Sequence, residues 1–381
     1  MDVIQAPIVQ IVGDLIRETP GTISLGQGMV HFGPPAAAIA VAREAMSNPD
    51  THEYQDGFGN RAFVRAIEEK LGRDNGIDVA KDSRVMVTAG GNMAFVHAVL
   101  AITAPGDDII LPVPFYFNHE MAIQMAGCTP VRVPTDHHYQ LDVDAIRRAI
   151  TPRTRAIVTV SPNNPTGAVY PEGALRDVNR LCGDRGLIHI SDEVYEYFTY
   201  GSTRHVSPGS FAGADAHTIS MYSLSKAYGL AGWRVGYMVF PSRLTDAIAK
   251  VQDTVLVCPP VISQVVGLAA MEIGPAYCRD HLRALAQVRE LVIAELRSVE
   301  PLCNVPPVDG AFYCFVRVKA DIGPMVLAER LIREHRVAVI PGGAFGADGC
   351  YFRVAYGAPQ KQTVAEGIGR LVNGLHAILR S

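Results

Sequence analysis

The sequence predicts an α/β protein with a mostly parallel central sheet and a smaller α+β domain built from both ends of the chain. Two observations carry this. From Val85 to Phe240, short and continuously apolar runs alternate with helix-like segments, the pattern of parallel strands buried on both faces by helices. After a long amphipathic stretch the pattern changes, and strands dominate toward the C-terminus. With 381 residues, 48% of them apolar and 19% charged, the chain can bury one or two cores, so a disordered tail or a small disulfide-stapled module is excluded.

In chain order, Ile8, Ile11, Val12, Leu15 and Ile16 recur at helical spacing and predict an opening amphipathic helix. A Gly- and Pro-rich loop follows from Leu25 to Pro35. Strands are predicted at VMVT from Val85, DIILP from Asp108, AIVTV from Ala156, LIHIS from Leu187, TISMY from Thr218 and VGYMVF from Val235. Leu282, Leu285, Val288, Leu291 and Val292 share one stripe of a long helix. Strands then follow at Ala311 to Val318, Val337 to Ile340 and Tyr351 to Ala355. Neither an internal repeat nor a linker interrupts the sequence. The expected division is residues 1–40 and 281–381 in the small domain and 41–280 in the large one.

The net charge is -4 and the basic residues are scattered, with no run that could follow a phosphate backbone, so nucleic acid is not an expected partner. Cys128, Cys182, Cys258, Cys278, Cys303, Cys314 and Cys350 form no Cys-x-x-Cys pair and no zinc-like spacing. Reduced thiols in the cytoplasm are the expectation. The N-terminus carries an acid at Asp2 and lacks a basic start and a cleavage site, so no leader is expected. Apolar stretches such as Ala94 to Ala104, interrupted by His97, fall short of the roughly 20 residues a membrane span needs.

Walker, GxGxxG, GxSxG and HExxH signatures are absent. His137 and His138 are adjacent but join no carboxylate or cysteine pattern, and read as a solvated loop. What remains lies at predicted strand ends, where open α/β sheets bind ligands. Ala89-Gly90-Gly91-Asn92 opens a helix and suits either a plain turn or a phosphate held by backbone N–H groups. SPNNPTG after Val160 and SDEVYEYF after Ile190 taken singly read as a turn and a helix cap. The run SLSKAYGLAGWRVGY shifts the balance, since it sets Ser223, Lys226 and Arg234 on one loop after an apolar strand. The chain has six lysines, Lys70, Lys81, Lys226, Lys250, Lys319 and Lys361. Of these, Lys226 sits among small and aromatic residues, where partial burial lowers an ammonium pKa and suits a Schiff-base amine.

At this point the sequence resembles the class I/II aminotransferases, pyridoxal 5′-phosphate enzymes of fold type I. The motifs occur in the family's order: Ser24 to Gly28, Tyr54 to Gly59, Gly90 to Asn92, Pro114-Phe115-Tyr116, Asn164-Pro165-Thr166-Gly167, Asp192 to Tyr195, SLSK to Arg234, and YFRVAYG from Tyr351. The stretches LGQGMVHFGPP, VPFYFNHEMA and DEVYEYF are especially similar to plant-type aromatic and methionine aminotransferases and their bacterial relatives.

The resemblance implies that Lys226 holds the cofactor covalently and carries the proton to and from substrate Cα. Asp192 would pair with the pyridine nitrogen, Tyr195 and Asn164 would bind the phenolic oxygen, and Tyr116 would stack on the ring. Gly90, Gly91, Asn92, Ser223, Ser225 and Arg234 would hold the phosphate, joined by Tyr54 of a neighbouring subunit in a homodimer. Arg353 would grip the substrate α-carboxylate, with Gly28 on the loop that closes over it. The Asn164–Pro165 bond is expected to be cis, and Trp233 to serve packing.

The implied reaction exchanges an amino group between an L-amino acid and a 2-oxo acid. A fold type I carbon–sulfur β-lyase is the alternative, separable by its release of ammonia and pyruvate without an acceptor. A ligand-sensing module is disfavoured because the motifs begin near residue 1. Aromatic or methionine-like donors are expected over aspartate. Asp253 stands near the position where aspartate-specific members carry an arginine, and Met29, Val30 and Phe32 offer an apolar wall.

Overall fold

Seven strands form the central sheet in the computed structural model, which describes residues 1, 4–79, 82–357 and 360–380. Asp2 and Lys81 therefore lie outside the described residues. The strands are β2 (Ser83–Thr88), β3 (Asp108–Val113), β4 (Thr129–Pro134), β5 (Thr154–Val160), β6 (Ile188–Asp192), β7 (Thr218–Ser223) and β8 (Gly236–Pro241); β1 (Ile23–Ser24) precedes them in the chain. Their order is β2-β8-β7-β6-β5-β3-β4. All pairs are parallel except those of β8, which runs antiparallel to both β2 and β7.

The central strands are apolar on both faces because helices cover both. Ala156, Val158, Ile190, Ile219 and Met221 pack against helix Gly91–Ile102 on one side. Ile157 and Ile110 pack against Val178 and Leu181 of helix Glu172–Arg185 on the other. With β8 reversed, the carboxyl ends of β2, β5, β6 and β7 emerge on the same edge of the sheet, the place where such sheets bind ligands.

A second sheet runs β12-β13-β10-β9, from β9 (Cys303–Asn304), β10 (Tyr313–Val318), β12 (Ile340–Pro341) and β13 (Tyr351–Ala355). The N-terminal segment joins this region through β1, which pairs in parallel with β11 (Val337–Ala338), Ile23 opposite Val337. Helix Ile8–Glu18 adds Val12 to a cluster with Phe315, Ile332 and Phe345. Helix Ala276–Arg297 passes without a break through residue 280. Trp233 is half-buried against the main core. Among the described residues no single helix is long and apolar enough to cross a membrane.

Candidate active site

Between the sheet edge and the C-terminal strands lies a cavity of about 420 Å³. Several strand ends deliver side chains to it. Asp192 is the last residue of β6 and Ser223 the last of β7. Asn164 follows β5 on a turn braced by Asn163, whose N–H donates to the Ala168 carbonyl at 2.8 Å and whose Oδ1 accepts from Thr166 Oγ1 at 2.8 Å. The Asn164–Pro165 bond is cis, as are Val113–Pro114 and Ser161–Pro162.

Lys226 stands on the single turn Leu224–Ala227 that follows β7, half-buried, with Nζ donating to the Gly28 carbonyl. Burial, together with the positive charges of Arg353 and Arg234, lowers its ammonium from 10.5 to about 8. It is the one lysine lining this cavity among the described residues. Lys70 is also buried, but its ammonium is engaged by Glu196 and by Asn75 Oδ1 at 2.7 Å.

At one end of the cavity Asp192 Oδ1 accepts the Val194 N–H at 3.2 Å, while Oδ2 lies 3.1 Å from His119 Nε2. The His119 ring is buried and stacks on Phe95, with centroids 4.0 Å apart. At another end, helix Gly91–Ile102 starts with no side-chain cap, leaving its first N–H groups available. Gly90 precedes it at φ 82°, and a Cβ there would stand 2.4 Å from Arg234 Nη2. Arg234 is aimed by Nη1 donating to the Ala231 carbonyl at 2.9 Å and Nη2 to the Ala89 carbonyl at 3.3 Å. Ser223 Oγ donates to Ser225 Oγ at 2.8 Å on the same rim. Helix start, hydroxyls and guanidinium converge into an anion cradle.

Arg353 enters from β13 and is 2% exposed. Nη1 donates to Asn164 Oδ1 at 2.8 Å and Nη2 to the Gly26 carbonyl at 2.6 Å, while Nε is buried with no partner. The guanidinium lies 4.6 Å from the centre of the Tyr313 ring, and Tyr313 OH is 2.6 Å from Tyr195 OH. Tyr116 OH accepts from Asn118 Nδ2 at 2.8 Å and donates to Asn92 Oδ1 at 3.4 Å.

Gly28, Gly91, Asn92, Tyr116, Asn164, Asp192, Tyr195, Ser223, Ser225, Lys226, Arg234 and Arg353 thus line one cavity, with Gly90 against its rim. Tyr54 does not line it in its own chain and is 84% exposed. Two sequence expectations are corrected. Asp253 is exposed on helix Thr245–Val255 and does not line the cavity. Met29, Val30 and Phe32 do not line it either, because the loop turns Phe32 away to stack on His281, with centroids 4.0 Å apart. The apolar wall is made by Val9, Tyr116, Phe117 and Tyr313. His119, Tyr313, Phe117 and Val9 were not singled out from the sequence. His119 and Phe117 fall within the VPFYFNHEMA stretch, whereas nothing local marks Tyr313 or Val9.

The parallel sheet with its cleft at the strand ends, a lone depressed amine and an anion cradle define an enzyme of fold type I. The sequence model of the family described as Aminotransferase class I and II matches residues 20–371, and the chain belongs to that family. It is 32% identical to Aromatic aminotransferase ISS1 of Arabidopsis thaliana, over 98% of this chain and 94% of that protein. It is 34% identical to a probable aspartate/prephenate aminotransferase of Aquifex aeolicus, over 93% and 91%. Among solved structures, a single mutant of Thermus thermophilus aspartate aminotransferase superposes with a TM-score of 0.90 at 30% identity, covering 98% of each chain. The aromatic aminotransferase of Pyrococcus horikoshii OT3 gives 0.88 at 31% identity, covering 96% of this chain and 99% of that one. The protein is a pyridoxal-phosphate-dependent aminotransferase, and the carbon–sulfur lyase alternative is not favoured.

Proposed function

We propose that the enzyme moves an amino group between an aromatic or methionine-like L-amino acid and a 2-oxo acid, using the cavity residues in the following roles. The donor set suits the cofactor: an anion cradle, a carboxylate and an amine share one cavity. Bound there, pyridoxal phosphate supplies an aldehyde for the amino group and a ring that accepts electrons released at Cα. The helix start at Gly91 and Asn92, Ser223, Ser225 and Arg234 hold its phosphate. Asp192, oriented by His119, holds a proton at the ring nitrogen. Tyr195 and Asn164 bind the phenolic oxygen, and Tyr116 covers the ring face. Lys226 Nζ, once free, takes the proton from substrate Cα and returns it on the other side of the exchange. Arg353 orients the substrate by its α-carboxylate, for which its unpartnered Nε is available.

The observation that carries the substrate class is the cavity's charge inventory. Its lysine and arginines are Lys226, Arg234 and Arg353, each committed by the roles above, and no further Lys or Arg among the described residues lines it. The wall of Val9, Tyr116, Phe117 and Tyr313 suits a ring or thioether, worth roughly 1.5–3 kcal/mol on burial. Comparing kcat/KM for phenylalanine, tyrosine, tryptophan and methionine with that for aspartate tests this. The four apolar donors are expected to lead, and an aspartate value above all of them would defeat the assignment.

The same reading includes a homodimer in the cytoplasm and the domain division 1–40 with 281–381 against 41–280. The dimer is supported by exposed apolar side chains on neighbouring segments, Tyr54 beside the Gly57 loop and Val255 and Val257 next to it. The compartment is supported by Cys182, Cys278, Cys303, Cys314 and Cys350, free thiols that burial keeps protonated.

A further inference from the structure

We infer that Tyr313 is a positioning residue for the reaction: its hydroxyl donates to Tyr195 and so sets how strongly Tyr195 binds the cofactor's phenolic oxygen. The inference rests on the role proposed above for Tyr195. Tyr313 sits on β10 in register with Ala355 of β13, with 1% of its surface exposed. A phenylalanine would fill that place in the core as well. The hydroxyl adds a polar group that costs free energy when buried unless it is bonded, and its recorded partner is Tyr195 OH at 2.6 Å.

The local architecture makes room for this bond and orients it. A Cβ on residue 28 would lie 2.4 Å from Tyr313 Oη, so Gly28 leaves the space the hydroxyl occupies. The two tyrosine rings meet edge to face, with centroids 5.5 Å apart and planes at 86°. Burial pushes the Tyr313 phenol up to about 12, and the Arg353 guanidinium, 4.6 Å from its ring centre, offsets part of that rise. Tyr195 commits its own proton to the phenolic oxygen, so Tyr313 is the donor between the two hydroxyls. A hydroxyl that accepts one hydrogen bond donates its own more strongly. Tyr313 thereby joins the residue that grips the substrate carboxylate to the residue that tunes the cofactor.

Donation to the phenolic oxygen draws charge from it and lowers the pKa of the linkage between Lys226 and the cofactor. Spectrophotometric pH titration of the visible band reads that pKa in the holoenzyme, independently of turnover. Tyr195→Phe is expected to raise the midpoint. Tyr313→Phe should raise it less, by about half a unit. The double variant should match Tyr195→Phe alone, because the relay ends at Tyr195. An unmoved midpoint in Tyr313→Phe beside a raised one in Tyr195→Phe overturns the inference, and so do fully additive shifts. An unmoved midpoint in Tyr195→Phe overturns the role of Tyr195 itself and this inference with it.

Discussion

Only an unprotonated amine can attack an aldehyde, so in the role proposed for Lys226 its ionisation would govern how fast the apoenzyme captures its cofactor. An ordinary lysine amine is almost wholly protonated at pH 7, whereas burial and the charges of Arg353 and Arg234 lower Lys226 to about 8. The neutral fraction therefore grows about tenfold per pH unit below that value and saturates above it. Stopped-flow measurement of the apoenzyme with pyridoxal phosphate should show a covalent-capture rate that rises with pH and levels off near 8. A rate still climbing steeply at pH 9.5 would falsify the depressed amine. At this scale the sequence showed much, because Lys226, Asp192 and Arg353 each sit in a short run whose neighbours announce them. His119 and Tyr313 escaped because their meaning lies in contacts across 73 and 118 residues, with Asp192 and Tyr195 respectively. Asp253 misled for the opposite reason: its place in the sequence suggested a pocket, and its helix leaves it exposed.

Secondary-structure elements build the anion cradle, and the link between helix Gly91–Ile102 and Arg234 depends on a missing side chain. Gly90 occupies φ 82°, and the space where its Cβ would stand is taken by the Arg234 guanidinium. Gly90→Ala would add left-handed strain of about 1–3 kcal/mol and push Arg234 off the cradle. Cofactor affinity, measured by equilibrium dialysis or fluorescence quenching, is expected to fall about 10- to 100-fold. The effect should exceed that of Gly232→Ala, where no atom lies within 4 Å of the added carbon; equal losses in the two variants would count against the cradle. The strands that position these pieces were legible where helices bury them on both faces, as in β5 to β7. Strand β4 was not, because unlike the other edge strand, the largely buried β2, it is mostly exposed and carries Pro130 and Pro134. The reversed direction of β8 also left no mark, since an apolar run reads the same in either sense.

At the scale of the whole molecule, the chain brings twelve of its fourteen expected site residues to the cavity and Gly90 to its rim, while Tyr54 remains exposed away from it. In the homodimer proposed above, a side chain with that exposure would have its use between copies of the chain. If Tyr54 completes the phosphate cradle of the other subunit, two defective chains should repair each other. Lys226→Ala would remove the proposed proton carrier from its own site, and Tyr54→Ala would weaken the site of its partner. In a hybrid dimer both defects fall in one site and the other is intact. Unfolding and refolding an equal mixture makes about half the dimers hybrid, so about a quarter of all sites regain normal chemistry. Activity of the remixed sample should therefore exceed the average of the two parents, with cofactor affinity at the recovered sites like that of the unmodified enzyme. Activity that stays at the parental average, in a sample shown by mass spectrometry to contain hybrids, would mean that Tyr54 serves its own chain or no site at all.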